Sequence, residues 1–175
     1  MIKIETQRTY MRQIQENDWS LFERLHQEEE VIRYAFDRPS DEEIRQRFES
    51  RLPKWQWGAT HWLCLVIEDK LSGESIGVTG LCIPDGCQSC VEVGYLLLPE
   101  HHGHGYGTES LVALVDYIEA HFPVKDVSAI VTDGNVASCK VLEKSGFEFV
   151  SRDKDAYQIG GKSYDDLLFR YTISH

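Results

Sequence analysis

A strand that runs directly into a glycine-rich turn, which in turn opens a helix, restricts this chain more than any other feature of it. The segment is Val91-Glu-Val-Gly-Tyr-Leu-Leu-Leu-Pro-Glu-His-His-Gly-His-Gly-Tyr-Gly-Thr-Glu109. Val91 to Leu98 reads as a strand closed by Pro99, and glycine recurs at 103, 105 and 107. Beyond it, Leu111, Leu114, Val115, Ile118 and Phe122 fall on one face of an amphipathic helix. Free N–H groups and the positive end of the dipole at a helix start attract phosphate oxygens. Glycines let backbone approach the anion, because no Cβ intervenes. A merely flexible turn would not require three alternate glycines there. Two common phosphate cradles are excluded. A dinucleotide fingerprint needs G-x-G-x-x-G in a βαβ unit, but position 108 is Thr and a meander precedes the loop; a P-loop needs a lysine that is missing.

The rest of the pattern predicts one α/β domain over 1–175, with a mixed, mostly antiparallel sheet flanked by helices. Thr9 to Ile14 reads as a first strand, and Asn17 or Asp18 as the cap of a helix carrying Leu21, Phe22 and Leu25. Ser40 and Glu43 form a capping box ahead of Ile44, Phe48 and Leu52, and Pro53 ends that helix. Trp62 to Ile67 is a continuous apolar run suited to a strand buried on both faces. A strand through Ile76, Val78 and Leu81 and then Val91 to Leu98 complete a meander. After the glycine loop and its helix come a strand at Val127–Val131, a helix from Asn135 to Lys144 and two strands, Phe147–Val150 and Tyr164–Ile173. The expected order is β-α-α-β-β-β-α-β-α-β-β.

Charge narrows the partners. A formal net charge of −11 argues against a nucleic-acid binder and suits cationic amines or basic peptides. No apolar run reaches membrane-spanning length and the N-terminus lacks a signal-peptide stretch, so a cytoplasmic protein is expected. Five cysteines, two of them in expected strands, suit reduced thiols better than a disulfide framework. Cys87-x-x-Cys90 is half of a zinc pattern without a second half, so two thiols in a hairpin loop is the plainer account. His101, His102 and His104 form a second metal-like cluster, but adjacent residues rarely point at one ion, and no metal is expected.

Element order and loop together resemble the GNAT N-acetyltransferases, whose signature [Arg/Gln]-x-x-Gly-x-[Gly/Ala] corresponds here to His102-Gly-His-Gly-Tyr-Gly107 followed by Thr108-Glu109. Asn135-Val-Ala-Ser138-Cys-Lys-Val-Leu-Glu143-Lys-Ser-Gly146-Phe147 matches the Asn-x-x-Ser…Glu-Lys-x-Gly-Phe pattern of the ribosomal-protein N-terminal (RimJ/RimL-like) branch. Thr6 to Asp18 is similar to that branch's opening strand, so the resemblance spans nearly the whole chain. It implies acetyl-CoA as cosubstrate and direct acetyl transfer to a primary amine in a ternary complex. Backbone groups of Leu96, Leu97 and Leu98 would hold the pantetheine arm, and His102, Gly103, His104, Gly105, Tyr106, Gly107 and Thr108 the pyrophosphate. Asn135 would bond the pantetheine region, and it fits a helix N-cap equally. His102 stands where the family usually has Arg or Gln.

The acid and base are less completely specified. Many family members place a tyrosine near the sulfur, where this chain has Leu142; the branch's serine corresponds to Ser138, which also suits a helix first turn. The branch's glutamate past the Gly-Phe strand falls on Tyr157, leaving Glu92 as the carboxylate to accept the amine proton or to serve structurally. An α-amine is about a tenth neutral at pH 7 and a lysine only about 0.04%, a gap of about 3 kcal/mol. With no strong base in view, a peptide N-terminal α-amine or a low-pKa small amine is the easier acceptor. Trp55, Trp57 and Trp62 either line its pocket or belong to the core. Association as a monomer or a homodimer is open. The alternative activity is a catalytically weak module that senses CoA thioesters, and a zinc-binding interaction domain is the third reading.

Overall fold

The computed structural model describes residues 1–174; His175, inside the expected domain, lies outside them. Eight strands form one sheet in the order β1-β2-β3-β4-β5-β6-β8-β7. They are β1 (Lys3–Glu5), β2 (Thr9–Gln13), β3 (Leu63–Asp69), β4 (Ser75–Cys82), β5 (Cys90–Leu97), β6 (Asp126–Thr132), β7 (Glu148–Ile159) and β8 (Lys162–Thr172). The α-helices are α1 (Trp19–Gln27), α2 (Glu29–Ile32), α3 (Asp41–Arg51), α4 (Tyr106–His121) and α5 (Val136–Lys144). The expected α/β order holds with two additions, the three-residue β1 and the four-residue α2. The strand expected at Phe147–Val150 extends to Ile159, because β7 is an exposed edge strand with no buried face to impose an alternation.

Residue chemistry accounts for the boundaries. Ser40 Oγ accepts from the Glu43 N–H and Glu43 reaches back to the Ser40 N–H, so α3 starts in a full capping box. Asn135 caps α5, accepting from the Ser138 N–H at 3.2 Å. Asp18 is buried, where Arg12 holds it in a two-pronged ion pair while also bonding Glu68. That arrangement ties β2, β3 and the start of α1 together.

The sheet divides two apolar clusters. On one face, α4 and α5 pack Leu111, Leu114, Ile118 and Leu142 against Leu63, Leu65, Val91 and Val93. On the other, α1 and α3 pack Phe22, Leu25, Ile44 and Phe48 against Cys64, Val66, Val78 and Leu98. Trp55 and Trp57 belong to the first cluster, stacked around Phe122, which settles them as core.

All neighbouring strands pair antiparallel except β5 and β6. That parallel pair matches Cys90 with Asp126, Val91 with Val127 and Glu92 with Ser128, and then stops. From Val93 to Leu97, β5 continues along β4 alone, and the sheet opens into a wedge.

The cysteine expectation needs correction. Cys87 and Cys90 are joined in a disulfide across the turn between β4 and β5, the turn having brought their Cα atoms to 5.8 Å. Cys64, Cys82 and Cys139 are free.

Candidate active site

The wedge opens into a cavity of about 950 Å³ that passes through the sheet and touches both of its faces. Which backbone groups of β5 face it follows from register. The Leu98 N–H donates to Ile76, so in this antiparallel ladder residues 92, 94, 96 and 98 spend their backbone on β4. Val93, Tyr95 and Leu97 turn theirs to the open side. Of the expected trio, therefore, only Leu97 has its backbone on the open side; Leu96 and Leu98 do not, and Tyr95 does.

The glycine loop closes one end. Gly103 and Gly105 have φ of 76° and 82°, a left-handed region that side-chain-bearing residues avoid. Gly107 allows close contact instead: a Cβ there would lie 3.3 Å from Val141 Cγ2, so α4 and α5 would have to give by a few tenths of an ångström. The first intrahelical bond of α4 runs from the Glu109 N–H to Gly105. None of the N–H groups from Gly103 to Thr108 has a partner among the described residues. His104, exposed, contributes backbone to the same loop.

Two side chains accompany this loop, one expected and one missed. His102 turns back on the strand, its Nε2–H donating to the Leu97 carbonyl at 2.8 Å. Arg8, from the start of the chain, is the side chain that reaches the loop instead. Its guanidinium lies over the Tyr106 ring at 4.3 Å, bonds the His104 carbonyl at 2.9 Å and pairs with Glu109 at 3.1 Å. It thereby offsets a carboxylate that would repel an anion in the first turn of α4. Thr6 also donates to Glu109, and the Tyr106 hydroxyl donates to Asp69 at 2.8 Å, pinning the loop to the β3–β4 turn.

At the middle of the cavity, Ser138 and a second missed residue meet. The Tyr95 hydroxyl lies 2.7 Å from Ser138 Oγ, and burial pushes its pKa up to about 12, the serine bond opposing. The phenol therefore stays protonated at neutral pH. Leu142, at the motif's tyrosine position, is fully buried. Strand alternation places Tyr95 beside Val93 and Leu97 on the α5 face, but its meeting with Ser138 depends on the assembled fold. Asn135 uses its oxygen for the cap, leaving its amide nitrogen without a partner among the described residues.

Glu92 faces the other side of the sheet, half-buried opposite Cys82. Burial first, and Asp166 second, hold its carboxyl above the usual carboxylate range. Trp62 lies over Gly94, 3.7 Å from where a Cβ would be, and joins the cavity wall. No group of three or more His, Cys, Asp and Glu gathers as metal ligands among the described residues, and no described helix is long and apolar enough to cross a membrane. His101 packs its ring edge-on against Tyr106.

A parted parallel strand pair beside a helix-start anion cradle defines an enzyme class that works on CoA thioesters. The family model for the acetyltransferase (GNAT) domain matches residues 8–148, and the chain belongs to that family. It is an acetyl-CoA-dependent N-acetyltransferase, moving an acetyl group to an amine. The Bacillus subtilis (strain 168) protein YkkB is 29% identical over 152 residues, covering 84% of this chain and 86% of that protein. Among solved structures, RimL, the ribosomal L7/L12 alpha-N-protein acetyltransferase in complex with coenzyme A, superposes with a TM-score of 0.85 at 19% identity, covering 98% of each chain. Spermidine N-acetyltransferase from Vibrio cholerae, in complex with CoA and spermine, gives 0.80 at 17% identity, covering 94% of this chain and 95% of that one.

Proposed function

We propose that acetyl-CoA lies in the wedge, with its pyrophosphate on the amides of Gly103 to Thr108 and its pantetheine arm along the open edge of β5 at Tyr95 and Leu97. The thioester then sits level with Ser138, and the amine approaches from the Glu92 side. The supporting observation is the coincidence of unpaired strand edge, unpaired loop amides and a desolvated carboxylate on one through-going cavity.

Acetyl transfer needs a neutral amine, a polarised thioester carbonyl and a protonated leaving thiol. A carboxylate with a raised pKa takes a proton from an ammonium group more readily than an ordinary one. Glu92 removes that proton, directly or through water. The nitrogen attacks the thioester carbon, the carbonyl oxygen is held by backbone N–H of β5, and the C–S bond breaks as the tetrahedral species collapses. The Tyr95–Ser138 pair, still protonated, donates to the departing sulfur and recovers a proton, through water, from the second N–H of the attacking nitrogen. The acceptor is an α-amine of a peptide or a small amine of low pKa, because a carboxylate is a weak base toward lysine.

The test is calorimetry with acetyl-CoA, followed by thiol release over peptide N-termini, small amines and polyamines. Tight acetyl-CoA binding with turnover of α-amines is expected. No binding at millimolar acetyl-CoA, or turnover restricted to lysine side chains, overturns the proposal.

A further inference from the structure

The wall opposite the CoA loop carries a charge that no described residue neutralises. Arg51, the last residue of α3, lines the cavity with its guanidinium against the Phe22 ring at 5.3 Å. Its Nη1 is buried without any hydrogen-bond partner, the one such side-chain atom among the described residues. Its titratable neighbours are Arg47, one turn earlier, and the thiols of Cys64 and Cys82; no carboxylate is among them. Both thiols stay protonated at neutral pH, since burial pushes each up to about 12. Arg47 also lines the cavity, stacked on Phe36 at 4.9 Å and in no ion pair among the described residues. His26 between them is neutral, its pKa lowered to about 4 by burial and then by the two arginines. Buried donors and charges are ordinarily paired, because leaving one unpaired costs the full desolvation of the group. By contrast the partly buried Arg12 is paired with both Asp18 and Glu68.

Resting on the acetyl-transfer reading above, we propose that the acceptor is a primary amine that also carries a carboxylate, which the planar fork of Arg51, supported by Arg47, engages from α3. The placement of Cys82 connects the two groups. It pairs across the strands with Glu92 and is also close enough to Arg51 for each to act on its thiol. A small zwitterion can thus set its amine toward Glu92 and its carboxylate toward Arg51. A guanidinium suits this because its donors match carboxylate oxygens two by two. Polyamines, by contrast, would bring their second positive charge against Arg47 and Arg51. The formal net charge of −11 therefore misleads about this wall, which is locally cationic.

Matched acceptors decide the matter: L-alanine and L-glutamate against their α-amides, a glutamate-first dipeptide against its amidated form, and spermidine, each at saturating acetyl-CoA. The expected kcat/KM is about ten- to hundredfold higher for a carboxylate-bearing member than for its amide. Arg51→Met should bring that ratio near one while leaving the KM for acetyl-CoA unchanged, and Arg51→Lys should keep part of the preference. The free acids and the dipeptide separate an amino-acid acceptor from a peptide one. Equal turnover of acids and amides, a preference that survives Arg51→Met, or spermidine as the best acceptor overturns the proposal. Circular dichroism checks folding; if Arg51→Met does not fold, the comparison rests on Arg51→Lys. If no amine is acetylated, the transfer reading fails, and the carboxylate site is read separately by titrating L-glutamate into CoA-saturated protein. Heat in the wild type and none in the Arg51 variant supports the site; no heat in the wild type overturns it.

Discussion

The two walls of the cavity are built from different materials. The α4–α5 side is mostly backbone: unpaired amides from Gly103 to Thr108, the free edge of β5, and an Asn135 cap. The α1–α3 side is side chains: Glu92, Trp62, His26, Arg47 and Arg51 around an apolar floor. Backbone recognises what every CoA ester shares, and changes little when residues change. Side chains recognise what differs between one amine and another. Substitutions on the first wall should therefore appear in acetyl-CoA affinity, and those on the second in acceptor turnover.

The sharpest trial of this division is Glu92→Gln. Loss of Glu92, the proposed base, should lower kcat/KM for the acceptor by about a hundredfold, with acetyl-CoA binding by calorimetry unchanged. In the wild type, rate should rise with pH through a value above that of an ordinary glutamate, because the carboxyl must lose its proton to act. The sign for stability is opposite. A folded pKa raised above the unfolded one means folding favours the protonated carboxyl, so the ionised form weakens the fold above that window. Glu92→Gln should therefore melt no lower than wild type at pH 7, and a large drop would mark the residue as structural.

On the backbone wall, Gly105→Val forces a β-branched residue to φ 82° with its Cβ 3.4 Å from Arg8 Nη2. Acetyl-CoA affinity should fall about tenfold or more, read by calorimetry, while the acceptor preference stays as it was. Arg8→Met should cost about fivefold, more at low salt than at high, because the guanidinium is partly exposed. His102→Ala should be smallest, less than about threefold, since its N–H is already spent on Leu97. A loss above tenfold there would mean the imidazole swings out to the phosphates, and the backbone account of this wall would be wrong.

The walls also differ in how far the sequence discloses them. Alternate glycines between a strand and a helix, and Asn135 three residues before Ser138, are local patterns whose physical meaning is local, so the loop and both motifs were readable. The helix pattern that revealed α3 depends on Ile44 and Phe48; it says nothing about where the polar Arg47 and Arg51 point. Tyr95 and Arg8 acquire roles only when residues 43 and 96 positions away arrive beside them. Elements lacking a buried face escaped for the same reason, β1 and α2 through shortness and most of β7 because both its sides meet water. The Cys87–Cys90 bridge was missed because composition speaks of surroundings, whereas pairing is decided by the turn.

One consequence of the parted strands concerns folding itself. Unmet amides and carbonyls on β5 and at the start of α4 are an incomplete secondary structure, and a ligand laid along them completes the sheet as an extra strand would. On the proposed placement, acetyl-CoA would become part of the fold that consumes it. By mass action, a ligand at a hundred times its dissociation constant deepens the native state by about 2.7 kcal/mol, and amide hydrogens along Tyr95, Leu97 and the loop should exchange with solvent correspondingly more slowly. A cell low in acetyl-CoA would then hold not only an idle enzyme but a less durable one.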